Sequence, residues 1–168
     1  MYFFQKSYIF IVMNFFKFIF SMLIAYSPLF VSRIFLIDTA NKWFSREGMP
    51  DFVPPDKVFS IAWISLYFLI GVSLFLFSTA NGGIREKRAG FIFFGIQLLL
   101  NLSFIPIYFS FHSLLYNLII CSLLTIFLIL NIIYFHRVSK IAAYFLIPYL
   151  LWMFFATILS YKIYILNA

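Results

Sequence analysis

Long apolar runs alternate with short polar segments along the chain, and each run approaches the length that an α-helix needs to cross a membrane, about 20 residues. The five runs predict helices at about residues 15–36, 57–78, 90–109, 114–135 and 141–162. Their number and the short segments between them predict one domain over residues 1–168. The expected fold class is therefore all-α, an integral membrane bundle of five transmembrane helices.

The first apolar region, residues 8–37, is interrupted by Lys17 and Arg33. These cations are 16 residues apart, a distance of about 24 Å along a helix. Each side chain can therefore extend to its own membrane interface, which centres the first helix between them. A cleavable signal peptide is the alternative, because Lys6 precedes an apolar stretch, although Asn14 and Lys17 interrupt the apolar core that such a peptide needs.

The one long polar segment is loop 38–57, which holds three prolines and four of the five acidic residues. Five spans place the two termini on opposite sides of the membrane. Seven of the twelve Lys and Arg residues then share the side of the N-terminus, and five share the side of loop 38–57. Because cytoplasmic loops carry an excess of cations, the count predicts an N-terminus inside and loop 38–57 outside.

Composition supports lipid as the solvent of this chain. Hydrophobic residues make up 65% and charged residues 10%, whereas a soluble domain has about 45–50% apolar and about 25% charged residues. The net charge of +7 comes from cations in the gaps between apolar runs, which is typical of membrane loops and not of a nucleic-acid-binding face. We therefore expect a multi-pass integral membrane protein with lipid as a partner and no nucleic acid.

Residues with catalytic or metal-binding chemistry are scarce. Cys121 is the single cysteine, His112 and His136 are the two histidines, and no carboxylate lies inside any predicted span. Paired carboxylates, ligand clusters and glycine-rich phosphate loops are all missing from the sequence. We expect no catalytic residue, no metal and no required cofactor. The lack of charge in the spans also argues against a proton-coupled transporter.

Aromatic residues line up on two of the predicted helices. Phe59, Trp63 and Tyr67 are spaced i, i+4, i+8 and share one face of the second helix, and Trp152 and Ala156 share one face of the last. Trp63 and Trp152 are the two tryptophans inside spans.

Gln97 and Asn101 are one turn apart on the third helix, with Phe104 on the same stripe. An amide is costly in hydrocarbon unless it is hydrogen-bonded, so both should point into the bundle. Two interpretations remain open: a hydrogen bond between helices, or a polar anchor inside an aromatic ligand pocket. A second polar stripe on the fourth helix favours helix packing, within the bundle or in a dimer. It consists of Asn117, Cys121 and Thr125.

Three separated motifs resemble those of the translocator protein / tryptophan-rich sensory protein (TspO) family. The first is Trp43-Phe44 with Pro50-Asp-Phe-Val-Pro54-Pro55 and Val58-Phe59-x-x-Ala62-Trp63-x-x-Leu66-Tyr67. The second is Gln97-Leu98-x-x-Asn101-x-x-Phe104-x-Pro106-x-Tyr108-Phe109. The third is Ala142-Ala143-x-x-Leu146-x-Pro148-Tyr149-Leu150-x-Trp152-x-x-Phe155-Ala156-x-x-Leu159.

The resemblance implies a five-helix bundle, often a homodimer, that binds porphyrins and haem and, in animals, cholesterol and synthetic drugs. It implies a ligand cavity under the first loop, lined by helices 1, 2, 3 and 5. Carried over by position, the ligand-binding residues are Trp43, Phe59, Trp63, Gln97, Asn101, Phe104, Trp152 and Ala156. Some members of the family have been proposed to degrade porphyrin in light through cavity tryptophans, which correspond here to Trp63 and Trp152.

The chain departs from the family pattern at several positions. Met49 replaces a usual lysine, Phe104 a usual tryptophan and Ser160 a usual asparagine. Lys162 follows Tyr161 directly, so a cholesterol-type motif is not formed. We expect a membrane receptor or sensor that binds a tetrapyrrole, porphyrin or haem, as a ligand. The alternatives are a light-dependent porphyrin-degrading enzyme and a transporter or scaffold subunit without its own ligand.

Overall fold

The computed structural model describes residues 2–39, 50, 52–110 and 113–167. All regular secondary structure in these ranges is α-helical. The helices are α1 Tyr2–Thr39, α2 Asp56–Thr79, α3 Ile84–Ser110, α4 Leu114–Val138, α5 Lys140–Phe145 and α6 Ile147–Asn167.

Four segments of the described chain are long and apolar enough to cross a membrane: Ile11–Arg33, Asp56–Thr79, Leu114–Val138 and Lys140–Asn167. Large hydrophobic side chains cover their outer surfaces, and Phe16 and Ile61 are each 65% exposed. Such surfaces are stable in lipid and would aggregate in water. The prediction of an all-helical, multi-pass integral membrane protein is therefore confirmed.

The helices form a closed ring. α1 packs between α2 and α3, α3 packs along α4, and α4 contacts α5 and α6, which return to α2. The rings of Phe77 and Phe135, near the loop between α2 and α3, stack with centroids 3.8 Å apart. A Cβ atom at Gly90 would overlap the Phe77 ring, so glycine permits this close packing of α3. Asn131 of α4 donates from Nδ2 to the Gly90 carbonyl at 3.0 Å.

The expected last helix, 141–162, is divided into α5 and α6 around Leu146. Pro148 has no N–H group for the carbonyl four residues earlier, and its ring crowds that carbonyl. The chain tightens before it, where the Leu146 N–H donates to the Ala143 carbonyl at 3.0 Å. The α2 backbone lies closely along α5 but is farther from α6, which α2 meets through large aromatic side chains.

Several predicted helix bounds are too short. α1 begins at Tyr2 and not near residue 15, α3 begins at Ile84 and not near 90, and α6 continues to Asn167 and not 162. The charged run Arg85–Arg88 lies between the predicted helices 57–78 and 90–109, but it forms the first turns of α3. Hydropathy marks the part of a helix inside lipid, whereas hydrogen bonding continues the helix into the interface.

Candidate ligand-binding site

Aromatic side chains fill the space where α2 and α6 diverge. The ring centroids of Phe59 and Trp152 are 5.3 Å apart, and those of Trp63 and Trp152 are 6.4 Å apart. Trp63 stacks on Tyr67 with centroids 5.4 Å apart, and its edge approaches Tyr149 at 6.2 Å. The i, i+4 spacing on α2 aligns its three rings, and we call these five side chains the aromatic layer.

A hydrogen-bonded chain joins three helices next to this layer. The Tyr67 hydroxyl of α2 donates to Asn101 Oδ1 of α3 at 3.0 Å. Asn101 Nδ2 in turn donates to the Tyr149 hydroxyl of α6 at 2.7 Å. Asn101 is buried, with 6% of its surface exposed. Asn101 therefore makes hydrogen bonds between helices, which is the first of the two interpretations of this amide.

Tyr67 and Tyr149 were not among the predicted site residues, although both occur in the motifs that carry the family resemblance. A tyrosine inside a span needs a partner for its hydroxyl. Two such tyrosines and an amide on other spans indicate that a polar network is needed, but not which groups pair. Their pairing was not visible from sequence because it depends on the positions of three helices.

Two buried polar groups, one on α3 and one on α6, lack a hydrogen-bond partner. Gln97 is 1% exposed, and its Oε1 accepts no hydrogen bond. Trp152 Nε1 is buried and donates none. A buried unpaired group costs about 1–3 kcal/mol. Gln97 on α3 therefore carries an unused buried acceptor, and Trp152 on α6 carries an unused buried donor at the aromatic layer.

The remaining predicted site residues differ in their placement. Ala156 is 7% exposed and belongs to the buried core, while Phe104 is half-buried and packs against it. Trp43 lies outside the described residues, together with Met49 and most of loop 38–57. The structure thus brings Phe59, Trp63 and Trp152 into one cluster and places Asn101 beside it.

A cavity of about 440 Å³ opens between α2 and α6 toward the lipid-facing side. Ala62 and Ser65 line it on α2, and Pro148, Trp152 and Phe155 line it on α6. The cavity is wide open on that side, so the protein would enclose a ligand there only in part. Trp152 belongs to both the cavity wall and the aromatic layer, so a ligand in this cavity would contact the layer.

The polar stripe on α4 packs within the bundle. Asn117 Nδ2 donates to Ser160 Oγ at 3.3 Å, and Cys121 Sγ lies 3.4 Å from the same oxygen. Thr125 Oγ1 and Thr157 Oγ1 are 3.1 Å apart. These contacts join α4 to α6 and give Ser160 a structural role. In the described part of the chain no three His, Cys, Asp or Glu residues form a group that could hold a metal ion.

The helical ring and its interior of tryptophan, tyrosine and amide side chains define a multi-pass α-helical membrane protein with an aromatic interior. Residues 18–166 match the sequence profile of the TspO/MBR family, and the chain belongs to that family.

Its relatives include proteins from archaea, bacteria and animals. The tryptophan-rich protein TspO of Archaeoglobus fulgidus is 36% identical over 93% of this chain and 100% of its own length. The tryptophan-rich protein TspO of Chlorobaculum tepidum is 34% identical over 82% of this chain and 87% of its own length. The translocator protein of Homo sapiens is 29% identical, with 80% of each chain covered.

Proposed function

We propose that this protein is a membrane receptor or sensor that binds a flat, largely apolar ligand of the tetrapyrrole class, porphyrin or haem, at the aromatic layer. The observation that carries the proposal is the cluster of Phe59, Trp63 and Trp152 with an indole N–H that has no acceptor. Stacked rings provide large contact areas, and few polar groups orient the ligand in pockets of this kind.

The ring distances limit how such a ligand would bind. Centroids 5.3–6.4 Å apart are in direct contact, so no macrocycle fits between Phe59, Trp63 and Trp152 as they stand. The ligand would lie against the face of Trp152 in the cavity between α2 and α6, or the tryptophans would separate to admit it. The first mode leaves the hydrogen bonds of Asn101 intact.

The chemistry of the site favours recognition of the ring over coordination of a metal. Cys121 and His136 are the cysteine and histidine whose side chains the structure describes, and both have contacts elsewhere. Cys121 Sγ lies beside Ser160, and the His136 ring lies against Tyr144. Neither is one of the five side chains of the aromatic layer. We therefore expect metal-free protoporphyrin IX and haem to bind with similar affinity, since the shared macrocycle supplies the contact.

The proposal also covers the number of membrane spans, which is five with α3 included, and the oligomeric state, a homodimer. α3 has 27 residues, which corresponds to about 40 Å of helix, and it packs between α1 and α4. It would complete a five-span bundle with loop 38–57 on the outside. The family resemblance further suggests a homodimer, which the mass of the purified protein in detergent would test.

Light-dependent porphyrin degradation is the second candidate, and the contact between Trp63 and Trp152 favours it. An indole beside an excited porphyrin is a plausible electron donor, whereas phenylalanine is a poor one. We expect Trp63→Phe and Trp152→Phe to keep most of the affinity, since most of the stacking area remains. If wild-type protein bleaches protoporphyrin IX no faster than a detergent control under light, the enzyme is excluded and the receptor remains.

A titration of the purified protein with protoporphyrin IX, followed by tryptophan fluorescence quenching, tests the receptor. Trp152→Ala should weaken binding by roughly tenfold, because an aromatic contact contributes about 0.5–1.5 kcal/mol in addition to its buried area. Phe154→Ala is the matched control, since Phe154 is on the same helix but 46% exposed on the lipid side. Equal affinities for the two variants would contradict the proposed site.

A further inference from the structure

A second cavity, of about 460 Å³, lies between α1, α2 and α3, apart from the aromatic layer. Its walls are apolar side chains such as Ile24, Phe94 and Leu98, and Lys17 lies at one end. The lining on α1 runs from residue 17 to 24 and on α3 from 91 to 98. Seven residues in a helix extend about 10 Å, so the cavity is an elongated groove along the helices. We call it the Lys17 groove.

The lysine is inside the membrane span. It interrupts the apolar region of residues 8–37, nine residues after that region begins. An ionisable residue inside an apolar span is rare, and it is usually paired, extended to the interface or functional. Neither Asp56 nor Glu86, the carboxylates whose side chains the structure describes, lines the groove. The protein thus places a cation at the end of an apolar groove and, among the described residues, no anion with it.

A second cation lies at the same end. The Lys87 ammonium donates to the carbonyl of Ser78 at 3.1 Å, and Ser78 lines the groove. The hydroxyl of Ser21, also in the lining, donates to the Lys17 carbonyl at 2.8 Å, so its hydrogen is already used. The polar end of the groove therefore offers positive charge to a ligand that brings only acceptors.

We propose that the Lys17 groove binds a phospholipid with an anionic headgroup, with one acyl chain along the groove and its phosphodiester near Lys17. The apolar lining fits the chain, and the cations fit an acceptor-only phosphate. Phospholipid is also the solvent of this surface, since Lys17 and Phe20 are exposed to it. The cation-rich end is the side that the positive-inside rule places at the cytoplasm, where Lys and Arg attract anionic lipids.

Native mass spectrometry of the detergent-purified protein tests the proposal. Phosphatidylglycerol and phosphatidylcholine with identical acyl chains are added at equal concentration, and the fraction of protein that retains each lipid is measured. We expect the wild type to prefer phosphatidylglycerol by more than about fivefold, because one nearby lysine contributes about that factor and Lys87 lies at the same end. Lys17→Gln should lower this ratio by about fivefold, and the control Lys162→Gln, an exposed lysine far along α6, should leave it unchanged.

Two further measurements distinguish a phospholipid from other ligands of the groove. Ser78→Leu fills the groove without removing a cation, and it should lower retention of both lipids. If this variant does not fold, the comparison of Lys17→Gln with the wild type tests the proposal by itself. An unchanged ratio in Lys17→Gln would overturn the proposal, because the lysine would then only extend to the interface. Palmitate that displaces phosphatidylglycerol at equal concentration would overturn the phospholipid assignment and point to a free carboxylate.

Discussion

Replacing Asn101 with leucine removes the centre of the hydrogen-bonded chain between α2, α3 and α6. The amide accepts from Tyr67 at 3.0 Å and donates to Tyr149 at 2.7 Å, so the variant loses two bonds. Hydrogen bonds between membrane helices average about 0.6 kcal/mol. The two hydroxyls are also left in an apolar core, and each orphaned buried group costs about 1–3 kcal/mol. Partial relaxation brings the expected loss of unfolding free energy to about 2–3 kcal/mol.

Equilibrium unfolding in mixed detergent micelles, without ligand, measures this loss. Tyr67→Phe in the Asn101→Leu background should recover part of it, because the double variant no longer buries the Tyr67 hydroxyl, and a double-mutant cycle gives the coupling. Tyr67→Phe alone is the control and should cost less than Asn101→Leu. If Asn101→Leu is as stable as the wild type, the network does not hold the helices together and the amide is free to serve a ligand.

Two further predictions concern packing and topology. Gly90→Ala should destabilise the bundle by about 1–3 kcal/mol, since the new methyl group overlaps the Phe77 ring. Gly95→Ala on the same helix is the matched control: its Cβ would have no neighbour within 4 Å, and it should be neutral or stabilising by up to about 1 kcal/mol. If both substitutions have the same effect on the unfolding transition, the close packing at Gly90 is wrong. Reporter fusions at residues 48 and 85 should give opposite signals, and identical signals would contradict five spans.

The aromatic stripes show which part of the site can be predicted from sequence patterns. The i, i+4 spacing correctly placed Phe59, Trp63 and Tyr67 on one face of α2, because that geometry is local to a helix. The contact of this face with Trp152 depends on where α6 lies after the break before Pro148. The carried-over residue set did not contain Tyr67 or Tyr149, the partners of Asn101, since a pairing between helices is not encoded in the spacing of any one of them.

Sequence alone determined the all-helical membrane class, because the cost of placing a backbone and its side chains in hydrocarbon depends on local composition. It also determined the family, through the three motifs around Trp63, Asn101 and Trp152. Tertiary structure decided which polar groups are satisfied: Asn101 has two tyrosine partners, while Trp152 Nε1 and Gln97 Oε1 have none. The Lys17 groove likewise exists only because α1, α2 and α3 pack together in the folded protein. Hydrogen bonds and cavities arise from the relative positions of helices, and those positions follow from packing over the whole bundle.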